Sequence, residues 1–244
     1  MRAGVAQCGI ISLVLFSLNV NDMPSSSRHV ELAIYVDHTA VITTSRQPAL
    51  LVRYLETYLS ERERCLSKWR IAINVSKRSA MLFAKTGRRN AKPQLFGEPI
   101  QWVDDALDFG VTLDKGLTWS KHIDQVRKKA AQSLGTLGPL LNMRSLSIRN
   151  GVLLYKQLIR PMMYYACPLW RAAAHSHIKK LQVLLSKCLR TATIAHWYVG
   201  NRQIYDDLGV PYFSDNIRSV TERFDSKLPE VGNPIFAQLG KHLR

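Results

Sequence analysis

Apolar positions change their period along the chain. Within residues 30–45, "VELAIYVD" alternates and then turns strongly apolar, and "HTAVITTS" follows as a segment able to return beside it. The pattern predicts a central strand and an antiparallel partner, with Asp37 and His38 in the turn between them. Ahead of them, "NDMPSSS" reads as a loop. Pro48 then opens "PALLVRYLETYLSERERCLSKW", where Leu51, Tyr54, Leu55, Tyr58 and Leu59 recur at helical spacing and predict an amphipathic helix. "RIAINVSKRSAMLF" predicts two short strands around a polar turn at 76–78, "GRRNAKP" a basic loop, and residues 94–113 a further strand pair.

Past Lys115 the period becomes helical. "LTWSKHIDQVRKKAAQSLGTLGPLL", "RNGVLLYKQLIRPMMYYACPLW" and "HIKKLQVLLSKCLRTAT" are each of helical length with recurring apolar positions. The expected organisation is α+β: a mixed portion at 1–114, a helical portion at 115–200 and a tail at 201–244. In the tail, "IYDDLGVPYF" and "DNIRSVTERF" predict short helices and "LPEVGNPIF" a fraying end. With 46% hydrophobic residues among 244, the chain can bury one large core or two small ones, which excludes global disorder.

The N-terminal run at 9–18 resembles a signal-peptide core, but no small-x-small site closes it and Asn19, Asn21 and Asp22 follow. It is too short to span a bilayer. We expect it to stay as a buried helix packed against a sheet in an intracellular protein of nucleus or cytoplasm, with secretion the alternative. Cys8, Cys65, Cys167 and Cys188 show no CxxC or zinc-knuckle spacing and are expected as reduced, mostly buried thiols.

Charge sharpens this picture. The chain has 34 Lys and Arg against 18 Asp and Glu, a formal +16, which favours a polyanionic partner. Residues 115–190 hold 14 of those basic residues and one acid, Asp124. Arg127, Lys128, Lys129, Lys179 and Lys180 are therefore candidate phosphate contacts for RNA or DNA, the alternative being a solvated helix face. Trp119, Trp170 and Trp197 are either base-stacking surfaces or core. The acid pairs Asp104 and Asp105, and Asp206 and Asp207, read as a polar turn and a helical face.

These residues together resemble the C-terminal part of the reverse-transcriptase domain of jockey-like non-LTR retrotransposons. "YVDH" at 35–38 matches the family's Tyr-Ala-Asp-Asp turn. "AGVAQCGIISLVLFSLNVNDMP" is similar to its Gly-Val-Pro-Gln-Gly-Ser segment, and "LSKWRIAINVSKRSAMLF" to the segment after the turn. "FGVTLDKGLTW" with "HI" fits its Leu-Gly-Val-x-Leu-Asp-x-x-Leu-Thr-Trp pattern, while "LIRPMMYYACPLW" and "LQVLLSKCLRTATIAHWYVGN" resemble its thumb. The resemblance implies a partial palm followed by a helical thumb, and an RNA-directed DNA polymerase lineage using Mg²⁺. It makes Asp37 the catalytic and metal-binding carboxylate, and Gln7 and Lys77 residues near template or nucleotide. Departures accompany it: the family's second turn aspartate is His38, and its Pro-Gln-Gly-Ser is Ala6, Gln7, Cys8 and Gly9. The family's other metal-binding aspartate corresponds to a position upstream of Met1, which makes the missing upstream polymerase portion a candidate partner. The expectation is a polymerase-derived chain with little or no activity alone. The alternative is a non-enzymatic nucleic-acid-binding or protein-interaction module.

Overall fold

The computed structural model describes residues 29–35, 38–71, 73–74, 77–83, 92–143 and 145–231, together with Val14, Leu18 and Asn21. Those last three are helical and exposed; the rest of the apolar N-terminal run lies outside the described residues. The chain divides into two compact units, 1–106 and 107–244.

In the first unit, β1 (Val30–Tyr35) and β2 (His38–Thr43) form an antiparallel hairpin in register from Val30 opposite Thr43 to Tyr35 opposite His38. His38 is thus the first residue of a strand, whereas the sequence had placed it in the turn. The expectation of a central strand is also corrected. Among the described residues β1 pairs with β2 alone, and Ile34 and Ile42, on opposite faces of the hairpin, are exposed.

Helix α1 (Pro48–Lys68) takes Pro48 in its first turn, where a missing N–H costs nothing. Its end is a Schellman motif. Ile71 N–H donates to the Leu66 carbonyl at 2.9 Å and Arg70 N–H to the Ser67 carbonyl at 3.2 Å, with Arg70 at φ +52° where glycine is usual. Of the two strands expected at 70–83, the described residues form only β3 (Ser79–Met81), which pairs in parallel with β6 (Gln101–Val103). Between these two lie β4 (Gln94–Leu95) and β5 (Glu98–Pro99), an antiparallel pair. Leu59 of α1 packs with Leu95 and Ile100 in a small core.

At the boundary, β7 (Asp105–Asp108) pairs with β8 (Val111–Asp114). Two hairpins therefore occupy the span where one strand pair was expected. Both turn on Phe-Gly: φ is +51° and +74° at Phe96 and Gly97, and +45° and +76° at Phe109 and Gly110. Positive φ at both central residues matches strand twist, as in a type I′ turn. At Gly110 a Cβ would also come within 3.3 Å of the Tyr165 ring.

The second unit is helical. Its core is continuous from α2 (Ser120–Leu141) through α3 (Ile148–Leu154), a π-helical turn (Tyr155–Ile159) and α4 (Arg160–Tyr164) to α5 (Cys167–Trp170), α6 (His175–Thr193), α7 (Asn201–Asp207) and α8 (Phe213–Lys227). Ile123, Val126, Ala130 and Leu134 make the buried stripe of α2, and Leu181, Leu185, Cys188 and Leu189 that of α6. The segment predicted as one helix over 149–170 is broken: Pro161 follows the π turn, Tyr165 is extended, and Ala166 is left-handed ahead of Pro168. Gly151 lets α3 approach α6, since a Cβ there would sit 3.2 Å from that of Ala192. Cys167 and Cys188 are fully buried free thiols, their pKa values raised by burial to about 11 and about 12.

Candidate nucleic-acid interface

The predicted polymerase-type site is placed only in part. Asp37 and Gln7 lie outside the described residues. His38 is exposed at the start of β2, and Lys77 is exposed in a short turn whose N–H donates to the Asn74 carbonyl at 3.3 Å. A two-metal centre needs at least two carboxylates whose oxygens bridge hard cations. Among the described residues no three His, Cys, Asp or Glu side chains converge, and the donor next to Asp37 in sequence is an imidazole. A second carboxylate beside Asp37, which a pair of Mg²⁺ ions would need, is not supplied by the next residue in sequence, His38.

The basic helical surface is defined more fully. The apolar stripe of α2 turns inward against α6, which leaves Arg127, Lys128 and Lys129 exposed on its outer side. Lys179, Lys180 and Lys187 are exposed along α6. Asp124 sits between the two sets. Lys180 Nζ donates to its carboxylate at 3.0 Å and Arg127 Nε lies 3.9 Å away. The hydrogen bond from Lys180 is the chief reason the Asp124 carboxyl is held below the usual range. An exposed pair of this kind adds little stability. Its effect is to hold the Lys180 ammonium beside the α2 cations.

Other basic residues of this unit serve the fold. Arg171 is paired with Asp225 at 2.6 Å, and Arg160 donates to Asn216 Oδ1 at 3.0 Å. Lys187, Arg149 and Lys156, which the sequence did not single out, are exposed as well. The tryptophans separate cleanly. Trp119 is 8% exposed and Trp170 0%, so both are core, whereas Trp197 is 89% exposed.

No family model matches the chain, and no solved structure does. Curated relatives do. The "RNA-directed DNA polymerase from mobile element jockey" of Drosophila funebris is 30% identical over 98% of this chain, and that of Drosophila melanogaster 29% identical over 98%. The "Probable RNA-directed DNA polymerase from transposon X-element" of Drosophila melanogaster is 29% identical over 99%. The chain is a relative of jockey-like retrotransposon polymerases. It spans 27% of the length of each of these three relatives.

The segment of the jockey-like pattern that includes Asp114, Thr118 and Trp119 has a physical reason in this fold. After β8, Asp114 accepts hydrogen bonds from Thr118 N–H and Oγ1 at 3.0 Å each and from Trp119 N–H at 2.9 Å. The chain is thereby folded back with Leu117 and Trp119 at positive φ, which swings the Trp119 ring into the core and launches α2. The following His122 is buried, accepts from Thr112 N–H at 3.3 Å, and is held neutral at lower pH than usual by burial. This segment of the pattern is a hydrogen-bonded turn that sets where α2 begins.

For Asp114, burial alone would raise the carboxyl pKa, but the hydrogen bonds from Thr118 and Trp119 outweigh it and the net shift is downward. A lowered carboxylate stabilises the fold above the unfolded value, and that contribution is lost as pH falls through the folded one. Asp114→Ala is therefore expected to cost about 1–2 kcal/mol near neutrality, within the range of a lost cap. Its deficit against wild type should shrink once pH drops below 3.8. Urea unfolding across pH checks this; a deficit independent of pH would contradict it.

Proposed function

We propose that this chain is a partial palm and thumb of jockey-like polymerase lineage that grips nucleic acid by charge and does not, by itself, extend a primer. The observation that carries the reading is the exposed run Arg127 to Lys129 on α2, with Lys180 of α6 held beside it through Asp124, in a stretch of 115–190 with one acid. A polyanion fits such a surface because each phosphate contact releases condensed counterions. The complete family reaction joins a primer 3′-hydroxyl to a deoxynucleotide α-phosphate and expels pyrophosphate, and Mg²⁺ held by carboxylates would supply charge stabilisation for it. Here Asp37 is the turn carboxylate that matches, His38 stands where the second would be, and Gln7 and Lys77 are the matching nucleotide-side residues.

Such a protein works where RNA and DNA are, in nucleus or cytoplasm. Among the described residues no helix is long and apolar enough to cross a membrane. The second reading, a non-enzymatic binding module, shares the basic surface and needs no metal.

Incorporation of labelled deoxynucleotide on a primed RNA template, with Mg²⁺ and with Mn²⁺, tests the polymerase part. The expected result is no extension, unchanged in His38→Asp. Robust synthesis abolished by Asp37→Ala would overturn it.

A further inference from the structure

The connection between α6 and α7, residues 194–200, carries a feature that charge does not explain. Trp197 is 89% exposed and Tyr198 68%, although both are large enough to dominate a core. Their backbone is fixed. Helix α6 ends with Ala195 N–H donating to the Arg190 carbonyl at 3.2 Å and with Ile194 at φ +49°, a conformation a β-branched residue adopts only under strain. The Arg190 guanidinium then clamps the segment: it donates to Asn201 Oδ1 at 2.7 Å, to the His196 carbonyl at 3.2 Å and to the Val199 carbonyl. The His196 ring lies parallel to Tyr198 with centroids 5.4 Å apart, and Trp197 stands edge-on to Tyr198 at 6.0 Å. An exposed indole is thus presented by a braced support.

The charge around this tip selects its occupant. No Asp or Glu occurs between Asp124 and Asp206, while Lys187 lies on the preceding turns of α6 and Arg202 in the first turn of α7, both exposed. A second copy of so cationic a surface would be repelled. A single-stranded nucleic acid offers both complements at once, phosphates for the cations and base faces for the rings. We propose that Trp197, braced by Tyr198 and the Arg190 clamp, is a stacking platform for an unpaired base of single-stranded nucleic acid. The proposal rests on the charge-driven binding above and adds a base contact to it.

The test compares the whole chain and its variants on an oligothymidylate and on an abasic strand with the same number of phosphates, by fluorescence anisotropy. Wild type should favour the base-bearing strand, and Trp197→Ala should weaken that strand roughly tenfold. Affinity for the abasic strand and the salt slope should stay unchanged in that variant, and Trp197→Phe should keep most of the preference. Equal binding of both strands by wild type would overturn the stacking platform while leaving charge-driven binding intact. Binding of neither strand would sink both. Loss of affinity for both strands in Trp197→Ala, or for neither, would also overturn it, as would a wild-type dimer that this substitution dissolves.

Discussion

Reversal of Arg127, Lys128 and Lys129 to Glu is expected to weaken single-strand binding about 100-fold at 0.1 M salt, because each contact removed forfeits roughly 0.7 of a log unit there. All three side chains are exposed on the outer side of α2, so the loss should not come from unfolding. Unrelated sequences should suffer alike, since phosphate contacts carry no base information. The matched control reverses Arg53, Arg64 and Lys68, exposed on α1 in the other unit, and should matter far less. Anisotropy measures both; equal losses in the two variants would mean that only net charge counts.

Arg62 has no place in that control. It is 6% exposed, and its Nη2 donates to Thr39 Oγ1 at 3.0 Å, which ties α1 to the strand that begins at His38. Burial lowers its pKa, partly offset by the neighbouring Tyr58 hydroxyl. Arg62→Ala should cost about 2–4 kcal/mol, because it removes a packed stem as well as the partner of the half-buried Thr39 hydroxyl and of the buried Tyr58. Arg62→Met, which restores the stem without the donor, should recover part of that. Urea unfolding of the three proteins decides; a loss under about 0.5 kcal/mol in Arg62→Ala would place Arg62 among ordinary surface cations.

The parts legible from sequence are those written in periodicity. The hairpin at 30–43, α1, α2 and α6 follow directly from apolar spacing, and the α+β order follows from the change of period near Lys115. What stayed hidden depends on residues behaving against local preference. Helix ends at Arg70 and Ile194 use the left-handed region without glycine, whereas Gly209, at φ +57°, announces the end of α7 in the usual way. The Phe-Gly turns lack the Asn-Gly or Asp-Gly signature, so two hairpins looked like one strand pair. At the candidate interface, the charge of residues 115–190 was plain, but its division was not. Arg160 and Arg171 point to partners far along the chain, and only their folded positions show that they are spent on structure. The fate of three tryptophans was equally undecidable, because an aromatic in an apolar segment reads the same whether it is core or tip.

Charge-driven binding is the claim on which the rest depends, and the dependence of affinity on salt tests it most directly. For the wild-type chain on an unstructured single strand, about five neutralised phosphates give a slope of log K against log salt near −3.5. The Arg127, Lys128 and Lys129 reversal should flatten it. A slope near zero in wild type, or one that the reversal leaves untouched, would contradict the account and reduce the basic face of α2 and α6 to a solvated surface.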